Sequence, residues 1–414
     1  MNEGQAKEDV IRAGKQLIKA GLIARTWGNV SARISENYFA ITPSGRAYET
    51  LTPAEIVTVN TRDGSYPGGI KPSSEKGIHI AIYRERPEIN FIIHTHQVNA
   101  SAVSALHRDI EVSDSTRAAV MGCRRIPCAA YGLPGSKKLK RNVIEALSRS
   151  ESKAFLMANH GALCLGGNRD DAFEVAAVLE QICSDFIMSR YLQISGQKKP
   201  DWEGLRAYYL EELSPGDFLA EGPPGGPLYS SERSGNHLKL YLDDDPVQPF
   251  LGTGKNCIEA SLEGLPENNG LLPELAIHRF IYRKFKEIRA ILHATSPDIL
   301  TISKTGQTLY PLIDDFAQIV GISVRVAAGG PLPAAVRMIA GKLRGRHAVM
   351  IEGNGALCCG PSRSDAAAAA QILDKGCRAL IGTALFGGAR PVNPVESLLM
   401  RLVYLTTYAR KAAE

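Results

Sequence analysis

Residues 71–96 read KPSSEKGIHIAIYRERPEINFIIHTH, and this stretch decides how the rest of the chain is interpreted. Glu75 lies near its start, and His94 and His96 lie at its end. The apolar run FIIHTH is typical of a β-strand, in which alternate side chains point to the same face. His94 and His96 should therefore project together. Two neighbouring imidazoles need one or two more ligands to close a metal site, and zinc takes both histidine nitrogens and carboxylate oxygens.

An H-x-H pair alone is weak evidence, because two exposed histidines at the end of a polar strand would read the same way. Glu75 by itself could be a charge favoured by the dipole at a helix N-terminus. His160, in LMANHGALC, could be a turn residue before Gly161. The neighbouring sequence favours a metal site, since SSE precedes the His94–His96 pair and another isolated histidine follows it.

Five blocks occur in the order GNVSARI, ITPSG, PSSE, HTH and NHGALC. Their order and approximate spacing resemble the class II aldolase/adducin family, whose best-known enzyme is the zinc-dependent fuculose-phosphate aldolase. The resemblance is clear over residues 5–195 and fainter beyond. It implies a three-layer α/β/α fold, with a sheet between two layers of helices. It does not select one reaction, because the family includes aldolases, sugar-phosphate epimerases, dehydratases and metal-free adducin-type proteins.

The resemblance implies that Glu75, His94, His96 and His160 bind one divalent metal ion, zinc by preference. It also implies that Glu75 is catalytic, leaving the metal when substrate binds and moving a proton. Retro-aldol cleavage leaves negative charge on two adjacent oxygens, which a chelating metal stabilises as a Lewis acid. A carboxylate beside the metal can shuttle the proton.

The family's phosphate-binding loops match six positions. Small hydroxyls, an amide and backbone N–H groups near a helix start suit a phosphate. The alternative is an ordinary turn at TPSG and an ordinary helix cap at SS. The predicted phosphate-binding residues are Gly28, Asn29, Ser44, Gly45, Ser73 and Ser74.

The aldolases of this family carry a tyrosine about twenty residues beyond the second histidine, and it protonates the leaving aldehyde. Here that region reads IEVSDSTRAAV, with Asp114 or Ser115 in place of the tyrosine. The acid on the aldehyde side is therefore unassigned. His79, one helical turn from Glu75, is either a partner of the metal ligands or an ordinary packed or exposed histidine.

The second half is a diverged repeat of the first. The two halves align without a gap where LLPELAIHRFIYRKFKEIRAILHA of the second matches PSSEKGIHIAIYRERPEINFIIHT of the first. In this alignment Glu274 corresponds to Glu75 and His293 to His94. Thr295 replaces His96, and Asn354 replaces His160. One carboxylate and one imidazole rarely hold zinc unaided. The second copy is predicted to keep the fold and to lack the metal.

The length of 414 residues indicates two domains. We predict a catalytic domain over 1–200, a linker over 201–234 that is rich in Pro, Gly and Ser, and a degenerate domain over 235–414. The net charge of +5 is mild, and no basic stripe is interleaved with aromatics, which disfavours nucleic acid as a partner. No secretory signal and no run of about 18 apolar residues is present, so a cytoplasmic protein without membrane partners is expected.

The leading prediction is a class II, zinc-dependent aldolase that cleaves or forms a carbon–carbon bond in a phosphorylated ketose. The alternatives are a sugar-phosphate epimerase or dehydratase using the same metal, or a metal-free adducin-like assembly protein. Family members usually form four-fold rings with active sites at subunit contacts. A chain with two copies is expected to be a homo-oligomer, imitating that ring as a dimer.

Overall fold

A computed structural model describes residues 1–23, 27–214, 229–241, 257–263, 273–328 and 332–408, with backbone alone at 273–274, 332–333 and 407–408. Within these ranges the chain forms two seven-stranded sheets of matching strand order and one two-stranded ribbon. The matching order is the structural counterpart of the sequence repeat.

The first sheet has the order β3-β2-β1-β4-β9-β8-β7, and only its β7–β8 pair is parallel. The strands of the first half are β1 (Asn29–Arg33), β2 (Tyr38–Ile41), β3 (Val57–Asn60), β4 (Phe91–Thr95), β5 (Ile110–Glu111), β6 (Arg125–Ile126), β7 (Cys128–Ala129), β8 (Ala154–Met157) and β9 (Gly161–Gly166). Its helices are α1 (Glu3–Lys19), α2 (Lys76–Glu85), α3 (Val98–Ser104), α4 (Ser115–Met121), α5 (Lys137–Ser148), α6 (Arg169–Ser195) and α7 (Trp202–Tyr208).

The second sheet has the order β12-β11-β10-β13-β16-β15-β14. Its strands are β10 (Ser230–Ser234), β11 (His237–Tyr241), β12 (Cys257–Ser261), β13 (Ala290–Ala294), β14 (Val326–Ala327), β15 (Ala348–Ile351) and β16 (Ala356–Gly360). The helices of this half are α8 (Pro273–Lys284), α9 (Pro297–Ser303), α10 (Leu332–Leu343), α11 (Arg363–Ala384) and α12 (Pro394–Val403), with short π-type turns at Tyr209–Leu213, Phe316–Val320 and Tyr404–Tyr408.

Helices cover both faces of each sheet, because each strand buries apolar side chains on both sides. In the first copy, α1, α3 and α6 share one apolar core with the sheet, and α2 and α5 share the other. In the second copy, α9 and α11 lie on one face, and α8 and α10 lie on the other. The predicted three-layer α/β/α fold, present twice in tandem, is confirmed.

The two copies pack through the helical layers that face each other, chiefly α3 of the first copy against α11 of the second. One continuous apolar core runs through these layers from sheet to sheet. The rings of Phe186 and Phe386 stack with centroids 5.0 Å apart. The buried carboxylate of Asp298 binds Arg206 and Arg378, which adds an ionic link. The copies are therefore joined by a shared core.

Antiparallel pairing of β1 with β2 forms a hairpin around residues 34–37. The predicted linker over 201–234 is wrong at both ends. It begins as α7, because Leu205 and Tyr209 bury apolar side chains in the shared core, and it ends in β10, whose register with β11 and β13 makes it a central strand. Its middle, 215–228, lies outside the described residues.

None of the described helices combines the length and the apolar character needed to cross a bilayer. Cys164, Cys183, Cys358 and Cys377 are buried thiols, as their apolar surroundings indicate in the sequence.

Gly376 of α11 marks a close contact at the centre of the second copy. A Cβ there would lie 2.6 Å from Cδ2 of the buried Phe316 ring. We expect Gly376→Ala to lower the free energy of unfolding by about 1–3 kcal/mol, because a packed core has no room for the methyl group. Chemical denaturation followed by circular dichroism measures it.

Gly341 of α10 is the matched control, since a Cβ there meets nothing within 4 Å. Gly341→Ala should stabilise the protein by up to about 1 kcal/mol through helix propensity alone. Equal effects of the two substitutions would contradict the close packing at Gly376.

Candidate metal centre

The two histidines of the H-x-H motif lie at the end of a central strand. His94 is in β4, paired with Asn29 of β1 on one side and Leu163 of β9 on the other. His96 is the first residue beyond β4. Their Nε2 atoms are 3.0 Å apart, as the alternation of a strand predicts. The strand is buried throughout, so its backbone cannot shift without disturbing both neighbours.

The other two predicted ligands reach the same point from different elements. Glu75 is the residue that precedes α2, and its carboxylate lies 3.3 Å from Nε2 of His94. His160 ends the turn between β8 and β9, where Asn159 adopts a left-handed φ of 56°. The His160 Nε2 atom lies 3.0 Å from Nε2 of His94 and 3.3 Å from the Glu75 carboxylate. The structure thus brings all four predicted side chains together.

The geometry of this cluster fits a tetrahedral cation. Zinc–nitrogen bonds of about 2.0–2.1 Å place tetrahedral ligand atoms about 3.3–3.4 Å apart. The Nε2 atoms of His96 and His160 each lie 3.0 Å from Nε2 of His94, and the two Glu75 oxygens lie 3.3 Å from His94 and His160 respectively, which is close to that value. The ligand atoms of the three histidines all lie within 4.8 Å of one another. His94 Nδ1 donates to the carbonyl of Ala162 at 2.9 Å, which leaves Nε2 as the lone-pair atom. Three imidazole nitrogens and a carboxylate are a donor set that zinc takes readily.

The electrostatics of the cluster favour an anionic carboxylate beside imidazoles. Burial would raise the pKa of Glu75, but His160 and His94 hold it well below the usual range. Burial lowers the pKa of His94 well below its usual value, against the opposing effect of Glu75. Burial also disfavours a charged His160, yet the carboxylates of Asp314 and Glu75 raise its pKa well above normal. A metal ion would therefore displace a proton from His160.

Asn29 and His79 hold Glu75 from behind. Asn29 Nδ2 donates to Oε2 of Glu75 at 3.0 Å, and Nε2 of His79 lies 2.5 Å from Oδ1 of Asn29. Burial lowers the pKa of His79 to about 4, so this imidazole is neutral. His79 is thus the indirect partner that the sequence left as one option. The Asn29 amide, predicted to bind phosphate, is already engaged by Glu75 and His79.

Three groups at the centre were missed by the sequence, and all come from the second copy. Asp314 forms an ion pair with Nδ1 of His160, and the Asp315 carboxylate lies 3.4 Å from Nδ1 of His96. Lys375 of α11 forms an ion pair with Asp315. Asp314 and Asp315 occupy the stretch of the second copy that corresponds to Asp114 and Ser115. The first copy's own stretch points elsewhere, because Asp114 caps α4.

A cleft of about 410 Å³ opens beside the four ligands. Its wall includes Glu75, His96 and His160 together with Gln318 and Tyr404 of the second copy. All six predicted phosphate-binding residues also line it: Gly28, Asn29, Ser44, Gly45, Ser73 and Ser74. The cleft therefore joins the candidate metal ligands to the candidate phosphate loops.

The corresponding place in the second copy is built differently. His293 of β13 uses its Nε2 atom to contact the backbone oxygen of Asn354, 2.6 Å away. Among the residues that the structure describes, two groups of side chains are spaced for a metal: His94 with His96 and His160, and His96 with Asp314 and Asp315. Both groups include His96 of the first copy. The side chain of Glu274 lies outside the described residues.

Gly28 permits the close approach of β1 to β4 beside the ligands. Its φ is 101°, and a Cβ would lie 2.3 Å from the carbonyl oxygen of His94. We expect Gly28→Ala to displace His94 and to weaken zinc binding on the order of 10-fold, the size of effect seen when the support of a ligand is lost. Competition with a chromophoric chelator measures the affinity.

Gly68 provides the control, since its φ is 79° but a Cβ there meets nothing within 4 Å. Gly68→Ala carries the same kind of backbone strain, about 1–3 kcal/mol, and should leave zinc affinity unchanged. A loss of affinity in both variants would mean that strain, not the approach to His94, is responsible.

The sequence model described as "Class II Aldolase and Adducin N-terminal domain" matches residues 8–187 and 243–381. A 5-methylthioribulose-1-phosphate/5-deoxyribulose-1-phosphate aldolase of Escherichia coli is 38% identical over 180 residues, which are 44% of this chain and 82% of that protein. An L-fuculose phosphate aldolase of Haemophilus influenzae is 34% identical over 45% of this chain and 84% of its own length.

A 3-oxo-tetronate 4-phosphate decarboxylase of Haemophilus influenzae is 30% identical over 48% of this chain and 92% of its own length. The relatives thus correspond to one copy of the repeat, whereas the family model matches both. With two sheets of the same strand order and the ligand cluster at the end of β4, the chain belongs to the class II aldolase and adducin family and carries two copies of its domain in tandem.

Proposed function

We propose that this chain is a metal-dependent aldolase that cleaves or forms a carbon–carbon bond in a phosphorylated ketose. The observation that carries the proposal is the cluster of three Nε2 atoms beside the cleft, with the Glu75 carboxylate 3.3 Å from two of them. The similarity to two sugar-phosphate aldolases supports it. A metal-free assembly protein would have no use for such a cluster.

Glu75, His94, His96 and His160 would hold the divalent ion. When bound, the ion supplies Lewis-acid stabilisation for the negative charge that develops on two adjacent oxygens of the substrate. In the cleavage direction, the electrons of the broken bond stay with the ketone fragment as an enediolate. A hydroxyl proton leaves to form the aldehyde, and one carbon of the enediolate then takes up a proton.

Glu75 is suited to move the proton at the carbon atom. Its carboxylate is anionic because of the imidazoles around it, and Asn29 keeps one oxygen oriented from behind. A carboxylate within reach of the reacting carbon can act alternately as base and acid. Burial of Glu75, only 7% exposed, keeps bulk water from competing for the proton.

The phosphate would lie against Ser44, Gly45, Ser73 and Ser74, next to the start of α2. Backbone N–H groups at a helix start and small hydroxyls bind phosphate without requiring a basic side chain. The cleft contains no lysine or arginine among its described lining residues, so these neutral donors would carry the recognition.

Decarboxylation is the second candidate, and two observations favour it. The similarity to a 3-oxo-tetronate 4-phosphate decarboxylase is close to that of the aldolases, and neither Asp114 nor Ser115 supplies the expected tyrosine. Loss of CO2 leaves the same type of enolate charge on the metal side but needs no acid for an aldehyde. An epimerase or a dehydratase would also develop negative charge on substrate oxygens at the metal site.

Purified protein incubated with ketose 1-phosphates and with 3-oxo acid phosphates tests the reaction. Aldehyde release from a ketose phosphate, detected with a coupled dehydrogenase, supports the aldolase. Release of CO2 without aldehyde selects the decarboxylase. A purified protein that retains less than about a tenth of an equivalent of metal, even after zinc is supplied, would contradict both.

His96→Ala and Glu75→Gln separate metal binding from proton transfer. We expect His96→Ala to lose both bound metal and turnover, because three ligands remain around a site built for four. Glu75→Gln should keep some metal and lose about 10²–10⁴-fold in rate, the usual contribution of general acid–base catalysis. Metal analysis and turnover are measured on the same samples.

His237→Ala is the control, because His237 is exposed on β11, far along the chain from the cluster. It should alter neither metal content nor turnover. Normal turnover by Glu75→Gln would remove the proton-shuttle role of Glu75.

We also propose that the chain self-associates through α12. Exposed apolar residues recur at helical spacing along it, with Val395 75%, Leu398 49% and Leu402 51% exposed. Such a stripe fits a second copy of the chain better than water. Light scattering is expected to give twice the chain mass of 44.7 kDa.

Leu398→Glu should shift the protein towards a monomer, since a buried charge opposes the contact. Tyr38→Glu, at an exposed apolar residue of β2, is the control and should not change the mass. A monomeric wild-type chain at micromolar concentration would contradict self-association.

A further inference from the structure

The second copy places three buried ionic groups directly behind the metal-binding imidazoles of the first copy. Asp314 is 0% exposed, Asp315 is 1% exposed and Lys375 is 5% exposed. Burying such charges is costly unless they are paired or serve a cation.

Asp314 and the residues next to it hold the turn that carries His160. The Asp314 carboxylate forms an ion pair with Nδ1 of His160, and its backbone N–H donates to the carbonyl of Asn159 at 2.8 Å. In return, Nδ2 of Asn159 donates to the carbonyls of Leu312 at 2.8 Å and Arg390 at 2.9 Å. Both the ring and the backbone of this ligand are thus held by the other copy.

A similar arrangement holds His96. The Asp315 carboxylate lies 3.4 Å from Nδ1 of His96, and it is itself paired with Lys375. The Lys375 ammonium also donates to the backbone oxygen of His96 at 3.1 Å. Lys375 therefore fixes the backbone of His96 and orients the carboxylate that faces its ring.

We propose that the C-terminal copy positions the metal ligands of the N-terminal copy, through Asp314 behind His160 and through Asp315 and Lys375 behind His96. This inference rests on the proposed metal site. A carboxylate that accepts from Nδ1–H fixes the tautomer and the ring orientation, aims Nε2 at the metal and makes it a stronger donor. His94 receives the same support from its own copy, through the carbonyl of Ala162.

The charge balance supports this assignment. Glu75, Asp314 and Asp315 contribute three buried carboxylates, and Lys375 contributes one buried ammonium. With neutral imidazoles the group carries two net negative charges, which a divalent cation neutralises. A domain without a metal of its own would therefore contribute two of the three negative charges that favour the metal in its neighbour.

The test is the affinity of the full chain for zinc, measured by chelator competition, and the visible spectrum of the cobalt-substituted protein. We expect Asp314→Asn and Asp315→Asn each to weaken zinc binding by about 10–100-fold and to change the cobalt spectrum. Asparagine keeps the shape and one accepting oxygen, so the fold should survive. If Asp314→Asn fails to fold, Asp314→Ser is measured in its place.

Asp298→Asn is the matched control, because Asp298 is equally buried in the second copy and binds Arg206 and Arg378, away from the imidazoles. It should lower stability without changing zinc affinity or the cobalt spectrum. Unchanged or tighter zinc binding by the folded Asp314 and Asp315 variants would overturn the inference. Failure of the wild-type chain to bind zinc would instead overturn the proposed metal site.

Discussion

The convergence of three imidazole nitrogens and one carboxylate in a buried space is the constraint on which the rest of the structure depends. The Nε2 atoms of His96 and His160 both lie 3.0 Å from Nε2 of His94. Holding them there requires a rigid strand, a tight turn and a helix start. The central position of β4 and the glycine beside it provide that rigidity.

The second copy explains how so many buried charges are tolerated. Glu75, Asp314, Asp315 and Lys375 are each paired or face an imidazole. The contacts of Asp314 with His160 and of Asp315 with His96 cross the boundary between the copies. The copies share one apolar core, so the crossing contacts are as fixed as those within either domain. The stretch that carries Asp314 and Asp315 is thereby held against the imidazoles of the first copy.

The same residue positions in the second copy make different contacts. His293 donates its Nε2–H to the backbone oxygen of Asn354, so this nitrogen has no lone pair to offer a metal. The network of Ser231, His278 and Tyr282 nevertheless repeats that of Ser31, His79 and Tyr83. These hydrogen bonds inside the domain are retained, whereas Thr295 and Asn354 stand at the positions of His96 and His160.

The sequence by itself determined the family, the tandem fold and the grouping of Glu75, His94, His96 and His160, because these depend on local periodicity and on motif order. It misplaced the linker, since burial of Leu205 and Tyr209 depends on partners distant along the chain. It also could not find Asp314, Asp315 or Lys375. Those residues belong to no recognisable motif. Only the packing of one copy against the other brings their charges to the imidazoles, so the tertiary structure alone decides which groups surround the site.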